Sequence, residues 1–226
     1  MHHAWESLIA LLERGATDDM LCDFGMPVVH HGARYNCRVL ALNRKILLVR
    51  PKVALADNGN YRYRESRWFT AYQPVQPSAA AHHDTIVLPR AFQEKFQQHT
   101  APFGIQSHKF LHDNGSSIGC ESCEELWTPD ATHIALALQG VDLVGNGSGS
   151  HHELRKLDVR LDLAVTGATA KCGGIYCYTN QRGCDGGRLY YDGGAFIAVN
   201  GVLLAQAPQF AVDDVQVLAL NHALLD

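Results

Sequence analysis

Two cysteines stand three positions apart in the segment SSIGCESCEELWTP, residues 116–129, and each is followed by a glutamate. Cysteines at this spacing can form half of a zinc site or a redox-active dithiol, or supply a single nucleophile. A structural zinc site needs two more ligands, typically a second close pair, and Cys172 and Cys177 do not have that spacing. A thioredoxin-like dithiol starts a helix, whereas the residues around Cys120 and Cys123 read as a strand that enters a turn.

A nucleophilic cysteine is the interpretation that this pattern favours. A strand that breaks sharply into a turn presents one side chain at its end, beside backbone amides able to hold an oxyanion. Cys123 lies at that break, and Cys120 lies earlier, within the strand. A free thiol has a pKa of about 8.5, so it needs a nearby base or cation. Lys52, at the end of the apolar run ILLVRP, is one such cation, and spacing singles out none of the thirteen histidines. A buried structural cysteine is the alternative.

Composition excludes several classes of function. With 226 residues, 46% of them hydrophobic, the chain can form one sizeable α/β domain, which we place at residues 1–226. The net charge of −4 predicts neither nucleic-acid nor membrane binding, and no apolar run approaches the roughly 20 residues of a spanning helix. Nine Lys or Arg residues lie between Arg34 and Arg67, without the aromatic pattern of an RNA-binding strip. Seven cysteines in a chain of this size favour reduced thiols and a cytoplasmic location.

Periodicity and turn chemistry predict alternating helices and strands, with hairpins that argue against a simple doubly wound sheet. We expect a helix over residues 4–14, a hairpin at Asn43-Arg44 and another at Asn200-Gly201. Two further helices are expected to start at Thr128-Pro129-Asp130 and at a capping box formed by Ser150 with Glu153. The Pro- and Ala-rich residues 71–84 are expected to be a surface excursion.

Longer motifs resemble one known family. IGCESCEELWTP, RYNCRVLALNRKILLVRPKVALADNGNYR, NGSGSHHELRK and GGIYCYTNQRGCDGGRLYYDGGAFIAVNG, in this order, look like the glutaminase domain of eukaryotic-type glutamine-dependent NAD+ synthetases. That domain is a branch of the nitrilase, or carbon–nitrogen hydrolase, superfamily. The resemblance implies an α/β fold, the nitrilase-like four-layer α-β-β-α sandwich, here incomplete at its N-terminus.

The resemblance also implies roles for individual residues. Cys123 matches the family nucleophile, and Lys52, in Arg50-Pro51-Lys52, matches the catalytic lysine. Glu65 matches the glutamate that flanks this lysine. The backbone amide of Glu124 is expected to help hold the oxyanion. The positions that hold the amino-acid end of the substrate are Tyr63, Ser150 and Lys156, although Ser150 could instead cap a helix and Lys156 lie on a solvated helix face.

The resemblance implies that the chain is expected to hydrolyse the side-chain amide of glutamine and to supply ammonia for amidation of nicotinic acid adenine dinucleotide to NAD+. ATP and Mg²⁺ would be bound by a separate synthetase domain, and no cofactor or metal is expected in this domain. A homo-oligomer is expected, by analogy.

The family's general-base glutamate belongs to an N-terminal strand–helix unit that we expect to be missing from this chain, as is the synthetase domain. We therefore expect weak activity from the chain alone, rescued by an N-terminal segment that carries the base. Two alternatives stay open: a free-standing nitrilase-type amidase with another substrate, and a non-catalytic remnant that binds synthetase subunits.

Overall fold

The structure is a computed structural model that describes residues 1–57, 59, 63–73, 84–105, 107–109, 115–186 and 188–221. The chain divides into two compact units, Met1–His108 and Lys109–Asp226. Each unit combines a principal β-sheet with helices, which confirms the predicted α/β class. Most of the predicted excursion at residues 71–84 lies outside the described residues. The prediction of a single domain over residues 1–226 stays a prediction.

Unit 1 is built on a five-stranded sheet with two helices. Its elements, in chain order, are α1 (His2–Glu13), β1 (Cys22–His30), β2 (Ala33–Leu42), β3 (Lys45–Pro51), β4 (Asp84–Val87), α2 (Arg90–Phe96) and β5 (Thr100–Phe103). The strand order is β1-β2-β3-β5-β4, and only the β3–β5 pair is parallel. A short 3₁₀ turn, Glu65–Arg67, lies between β3 and β4.

The predicted first helix and first hairpin are both confirmed. Trp5, Leu8 and Leu12, spaced along one face of α1, are buried in the core of unit 1 against the sheet and α2. Asn43 and Arg44 both have left-handed backbones, with φ of 48° and 63°. This is the geometry of a type I′ turn, whose twist matches that of the flanking strands, so β2 and β3 pair without the favoured Asn-Gly sequence.

Unit 2 is built on a six-stranded sheet of order β13-β12-β9-β8-β7-β6 and a small β10–β11 hairpin. The elements are β6 (His108–Lys109), β7 (Ser117–Glu121), α3 (Thr132–Leu138), β8 (Leu143–Ser148), α4 (Lys156–Asp162), α5 (Ala170–Cys172), β9 (Ile175–Asn180), β10 (Arg182–Asp185), β11 (Leu189–Asp192), β12 (Phe196–Val199) and β13 (Val202–Gln206). A π-helical segment joins α4 to α5. Strands β7, β8 and β9 are parallel neighbours, and the hairpin predicted at Asn200-Gly201 joins β12 to β13.

Two predicted helix starts are wrong, each by a few residues. Helix α3 begins at Thr132 and not at Thr128, whose hydroxyl donates to the carbonyl of Glu125 in the preceding turn. Helix α4 begins at Lys156, so Ser150 and Glu153 do not cap it. The N–H of Ser150 instead donates to the side-chain oxygen of Asn180, 2.8 Å away on β9. For Ser150 this bond occupies the N–H that the predicted capping box would pair with Glu153.

Within the described part of the chain, no helix combines the length and the apolar character needed to cross a membrane.

Candidate active site

Cys123 lies where β7 turns abruptly into the 3₁₀ turn Cys123–Trp127, as the sequence predicted. All five residues of β7 are buried, including Cys120, whereas Cys123 is partly exposed. The backbone of Cys123 is left-handed, with φ of 47°. Non-glycine residues rarely adopt this conformation, which costs of order 1–3 kcal/mol and is concentrated at functional sites. Neither Cys120 nor Cys123 forms a disulfide, and of the two it is Cys123 that combines exposure with a strained backbone.

Asn146 holds the strained backbone of Cys123 in place. The side-chain oxygen of Asn146, on β8, accepts the N–H of Cys123 at 3.2 Å and the hydroxyl of Ser148 at 2.8 Å. The parallel pairing of β7 with β8 sets Asn146 opposite Glu121, two residues before the cysteine. The sheet register therefore determines where the turn can be anchored.

Glu121 is a fully buried carboxylate at the centre of a hydrogen-bonded network. It accepts the backbone N–H of His133 at 2.9 Å, the Nδ1 atom of the same residue at 3.2 Å, and the hydroxyl of Tyr176. Asn146 Nδ2 donates to the Tyr176 oxygen at 2.9 Å and approaches Glu121 at 3.4 Å. Burial opposes ionisation of Glu121, but the His133 and Tyr176 interactions outweigh it and lower the pKa below its ordinary value. The charged carboxylate thus ties α3 and β9 to the strand that leads into Cys123.

A second glutamate stabilises the turn that begins at Cys123. Glu125 is completely buried, and its carboxylate accepts the N–H of Ser122 at 2.6 Å. The N–H of Glu125 in turn donates to the carbonyl of Ser122 at 3.1 Å. This reciprocal arrangement satisfies helix-start donors that would otherwise be left without acceptors. It fixes the direction in which the chain leaves Cys123.

In unit 1, the structure brings together two of the predicted residues, Lys52 and Glu65. Lys52 directly follows β3, is 2% exposed, and its Nζ lies 2.6 Å from Oε2 of Glu65. The same carboxylate accepts the side-chain amide of Asn36 at 2.8 Å and the N–H of Ala56 at 2.9 Å. With three donors around it, Glu65 is held in one orientation and in turn holds the lysine ammonium. Tyr63, two residues before Glu65, is partly buried, and its predicted role in substrate binding stays a prediction.

Ser150 and Lys156 lie in different surroundings within unit 2. Ser150 is buried, and its hydroxyl accepts a hydrogen bond from Arg160 at 3.3 Å. Lys156 is the first residue of α4 and is mostly buried, which excludes the freely solvated position considered for it. Its Nζ lies 5.5 Å from the centre of the Trp127 ring, at the end of the Cys123 turn, and 3.7 Å from Glu153. The lysine is thus connected to the Cys123 turn through an aromatic contact.

Arg160 and Asp192 form a buried ion pair that the sequence reasoning did not identify. Arg160 donates to Asp192 at 3.2 Å and to the carbonyl of Gly193 at 3.2 Å, in addition to Ser150. The side-chain amide of Asn180 donates to Asp192 as well, at 3.0 Å. These contacts fasten the loop around Ser150 to the ends of β9 and β11.

Comparison with known proteins places these features in a family. The sequence profile of the carbon–nitrogen hydrolases matches residues 5–223, across both units. The chain is 53% identical over 224 residues to a glutamine-dependent NAD(+) synthetase of Macaca fascicularis, covering 99% of this chain and 30% of that protein. It is 48% identical over 216 residues to the synthetase of Saccharomyces cerevisiae, covering 96% of this chain and 29% of that one. The chain thus spans about 30% of the length of the curated relatives it matches.

Solved structures show the same fold. The crystal structure of a glutamine-dependent NAD(+) synthetase from Cytophaga hutchinsonii matches 94% of this chain and 32% of its own, at 28% identity and a TM-score of 0.72. A nitrilase-superfamily amidase from Nesterenkonia matches 92% of this chain and 64% of its own, at 17% identity and a TM-score of 0.63, which shows the shared fold. With its nitrilase-superfamily α/β fold and a family profile that spans almost its whole length, the chain belongs to the carbon–nitrogen hydrolase family.

Proposed function

We propose that this chain is the glutaminase part of a glutamine-dependent NAD+ synthetase. It would hydrolyse the side-chain amide of glutamine and supply ammonia for the ATP-dependent amidation of nicotinic acid adenine dinucleotide. Relatives that carry this name and align over almost the whole chain support the substrate. One observation in the chain itself carries the proposal: a partly exposed thiol on a left-handed residue, at the end of a buried strand.

In the proposed reaction the Cys123 thiolate attacks the carboxamide carbon of glutamine and forms a carbon–sulfur bond. The carbonyl π electrons move onto oxygen and give a tetrahedral oxyanion. Collapse of this intermediate breaks the carbon–nitrogen bond, and the nitrogen leaves as ammonia after receiving a proton from a general acid. Water then attacks the thioester, releasing glutamate and regenerating the thiol. The strained backbone of Cys123 is fixed by Asn146 before substrate binds, so the nucleophile needs no rearrangement.

The oxyanion is assigned to two donors. The first N–H groups of a helix lack acceptors inside the helix. In the Cys123–Trp127 turn, the N–H of Cys123 donates to Asn146. The next N–H group, that of Glu124, is the backbone donor that we assign to the oxyanion. Lys52 is our cationic donor, with Glu65 as the group that orients it. Each donor aimed at such a developing charge is typically worth about 2.7–4 kcal/mol.

The amino-acid end of glutamine is assigned to Tyr63, Ser150 and Lys156. Lys156 supplies a positive charge for the α-carboxylate, and its contact with Trp127 supports a position beside the Cys123 turn. The Ser150 hydroxyl accepts a hydrogen bond from Arg160, and a hydroxyl that accepts can also donate its proton, here to a substrate oxygen. ATP and Mg²⁺ belong, in this proposal, to the amidation step and not to this chain.

The decisive experiment is covalent trapping with a diazoketone analogue of glutamine, followed by peptide mass spectrometry. We expect one adduct per chain, on Cys123, and its loss in Cys123→Ser. Cys120→Ser is the matched control, because Cys120 lies three residues away but is buried in β7, so this variant should keep the adduct. An adduct on another cysteine would refute the glutaminase assignment. Faster formation of the Cys123 adduct by an analogue of asparagine or of an aliphatic amide would refute it as well.

A further inference from the structure

Three side chains in unit 1 that take no part in the proposed reaction converge on one point. His30 is the last residue of β1, His31 follows it in the turn, and Asp84 is the first residue of β4, 54 positions from His30. One ligand atom from each lies within 4.8 Å of the others. The Nε2 atom of His30 is 2.8 Å from Oδ2 of Asp84, and the Nε2 atom of His31 is 3.8 Å from Oδ1. Each imidazole therefore presents its Nε2 atom to the same carboxylate.

The backbone of the turn creates this convergence. Adjacent residues of a regular strand point to opposite faces, which would separate the two histidines. His31 instead has a left-handed backbone with φ of 47°, followed by Gly32 with φ of 77°. The turn brings the two rings to one side, with their centres 3.9 Å apart. His30 is 8% exposed, and its ring centre lies 4.2 Å from that of Phe103, which limits its orientation.

The donor set has a definite chemical preference. Two imidazole nitrogens and one carboxylate oxygen suit zinc and neighbouring divalent transition metals, and three protein ligands leave one position for water. Tetrahedral bonds of about 2.0–2.1 Å place ligand atoms roughly 3.3 Å apart. The nitrogen–oxygen distances, 2.8 Å from His30 to Oδ2 and 3.8 Å from His31 to Oδ1, lie on either side of this value and end on different oxygens of Asp84. We propose that His30, His31 and Asp84 form a divalent metal site, with Zn²⁺ as the preferred ion.

The three ligands come from two separate parts of the sheet, since the histidines lie at the β1–β2 turn and Asp84 is the first residue of β4. An ion bound by these three side chains would connect the β1–β2 turn to the start of β4 and stabilise unit 1 against unfolding.

The test is a titration of the whole chain with Zn²⁺ in competition with a chromophoric chelator. We expect one tight equivalent and a rise in the melting temperature on addition of Zn²⁺. His30→Gln and Asp84→Asn should each weaken the affinity at least about tenfold, a loss of the size seen even for groups that only support metal ligands. His31→Gln should do the same. Because the side chain of His31 is 77% exposed, we expect His31→Gln to fold even if His30→Gln or Asp84→Asn does not.

Two controls exclude other sources of binding. The double variant His2→Gln/His3→Gln removes two exposed histidines on α1 and should leave the affinity unchanged. Co²⁺ substitution should give visible d–d bands without a thiolate charge-transfer band, since no cysteine belongs to the site. A thiolate band, or an affinity that all three ligand variants retain, would overturn the proposal and leave the three side chains as a hydrogen-bonded cluster.

Discussion

The Nζ atom of Lys52 lies 2.6 Å from Oε2 of Glu65, and both side chains are almost completely withdrawn from solvent. Removing one partner of a buried ion pair leaves an uncompensated charge, at a cost of about 3–5 kcal/mol. We expect Lys52→Met and Glu65→Gln each to lower the free energy of unfolding by this order. The double variant should lose less than the sum, because it buries no unpaired charge. Urea denaturation of the four proteins measures this coupling.

An exposed ion pair of the same chain serves as the control for that prediction. Lys95 and Glu13 are 2.5 Å apart, but their side chains are 40% and 54% exposed. Solvent screens such pairs, so Lys95→Met should change the free energy of unfolding by less than about 1 kcal/mol. If Lys52→Met and Glu65→Gln changed the free energy of unfolding as little as Lys95→Met, Lys52 would not depend on Glu65 for its position. Additive losses in the double variant would lead to the same conclusion.

The buried Glu121 predicts a pH dependence of stability. Its pKa in the folded chain lies below that of an unfolded glutamate, about 4.3. The unfolded state therefore binds the proton first as pH falls. The stabilisation is complete above about pH 4.3 and is lost as pH falls through the lower, folded pKa. We expect Glu121→Gln to reduce stability at neutral pH and to flatten the acid limb of the stability curve.

The exposed Glu6, on α1, provides the comparison for Glu121. The Glu6→Gln variant should keep the acid limb of the wild-type curve, when unfolding is followed by tryptophan fluorescence from pH 3 to 7. An unchanged acid limb in Glu121→Gln would mean that the network around this carboxylate does not favour its charged form.

The sequence predicted most readily those features that depend on neighbouring residues. The apolar face of α1 and the hairpin turns at Asn43-Arg44 and Asn200-Gly201 follow from local periodicity and turn chemistry, and the structure confirms them. The placement of Lys52 directly after β3 and of Cys123 two residues after the end of β7 was predictable for the same reason. The pairing of Lys52 with Glu65 came only from the family resemblance, since the intervening chain has no regular period.

The parts that were missed depend on contacts between distant elements. The partners of Glu121 come from α3, β8 and β9, and no spacing within the sequence joins them. One signal was available: SIGCE is a strand of a parallel sheet, buried on both faces, and an acidic residue there needs buried donors. The failed cap at Ser150 has a related cause, because its N–H, which the local motif would pair with Glu153, donates instead to Asn180 on a distant strand.

Gly119, in the middle of β7, is predicted to tolerate no larger side chain. An added Cβ atom would lie 2.6 and 2.8 Å from the two terminal methyl carbons of Leu136, on α3. Because Leu136 is itself buried, relief requires repacking, so Gly119→Ala should cost about 1–3 kcal/mol of stability. Combining it with Leu136→Ala should cost less than the two changes separately, as thermal unfolding will show. Additive losses would mean that α3 does not press on β7.

Glutamine hydrolysis by this chain alone is expected to be slow. Glu65 and Glu121 are already engaged as acceptors by several donors, which makes them orienting groups and not proton acceptors. The general base implied by the family resemblance is supplied by none of the matched motifs. Loss of general acid–base assistance lowers rates by about 10²–10⁴. We expect ammonia release from glutamine to be slower by this order than with the full-length Saccharomyces cerevisiae relative.

Chemical rescue can identify the cause of a slow rate. If a base is lacking, added acetate should accelerate ammonia release in proportion to its concentration, and Cys123→Ser should abolish the effect. Turnover equal to that of the full-length relative without acetate would contradict the prediction.

Asn146 is predicted to position Cys123 and not to take part in the chemistry itself. Asn146→Ala removes the acceptor for the N–H of Cys123, whose backbone is left-handed, so the turn can relax. Trapping by the glutamine diazoketone, which needs an aligned thiol, should slow by roughly tenfold, equivalent to about 1.4 kcal/mol. Alkylation by iodoacetamide, which needs only access, should change much less. Ser148→Ala is the matched control, because it removes a second donor to the same oxygen and leaves the Cys123 bond in place. Equal loss of both reactions in Asn146→Ala would point to a collapsed turn and contradict a positioning role.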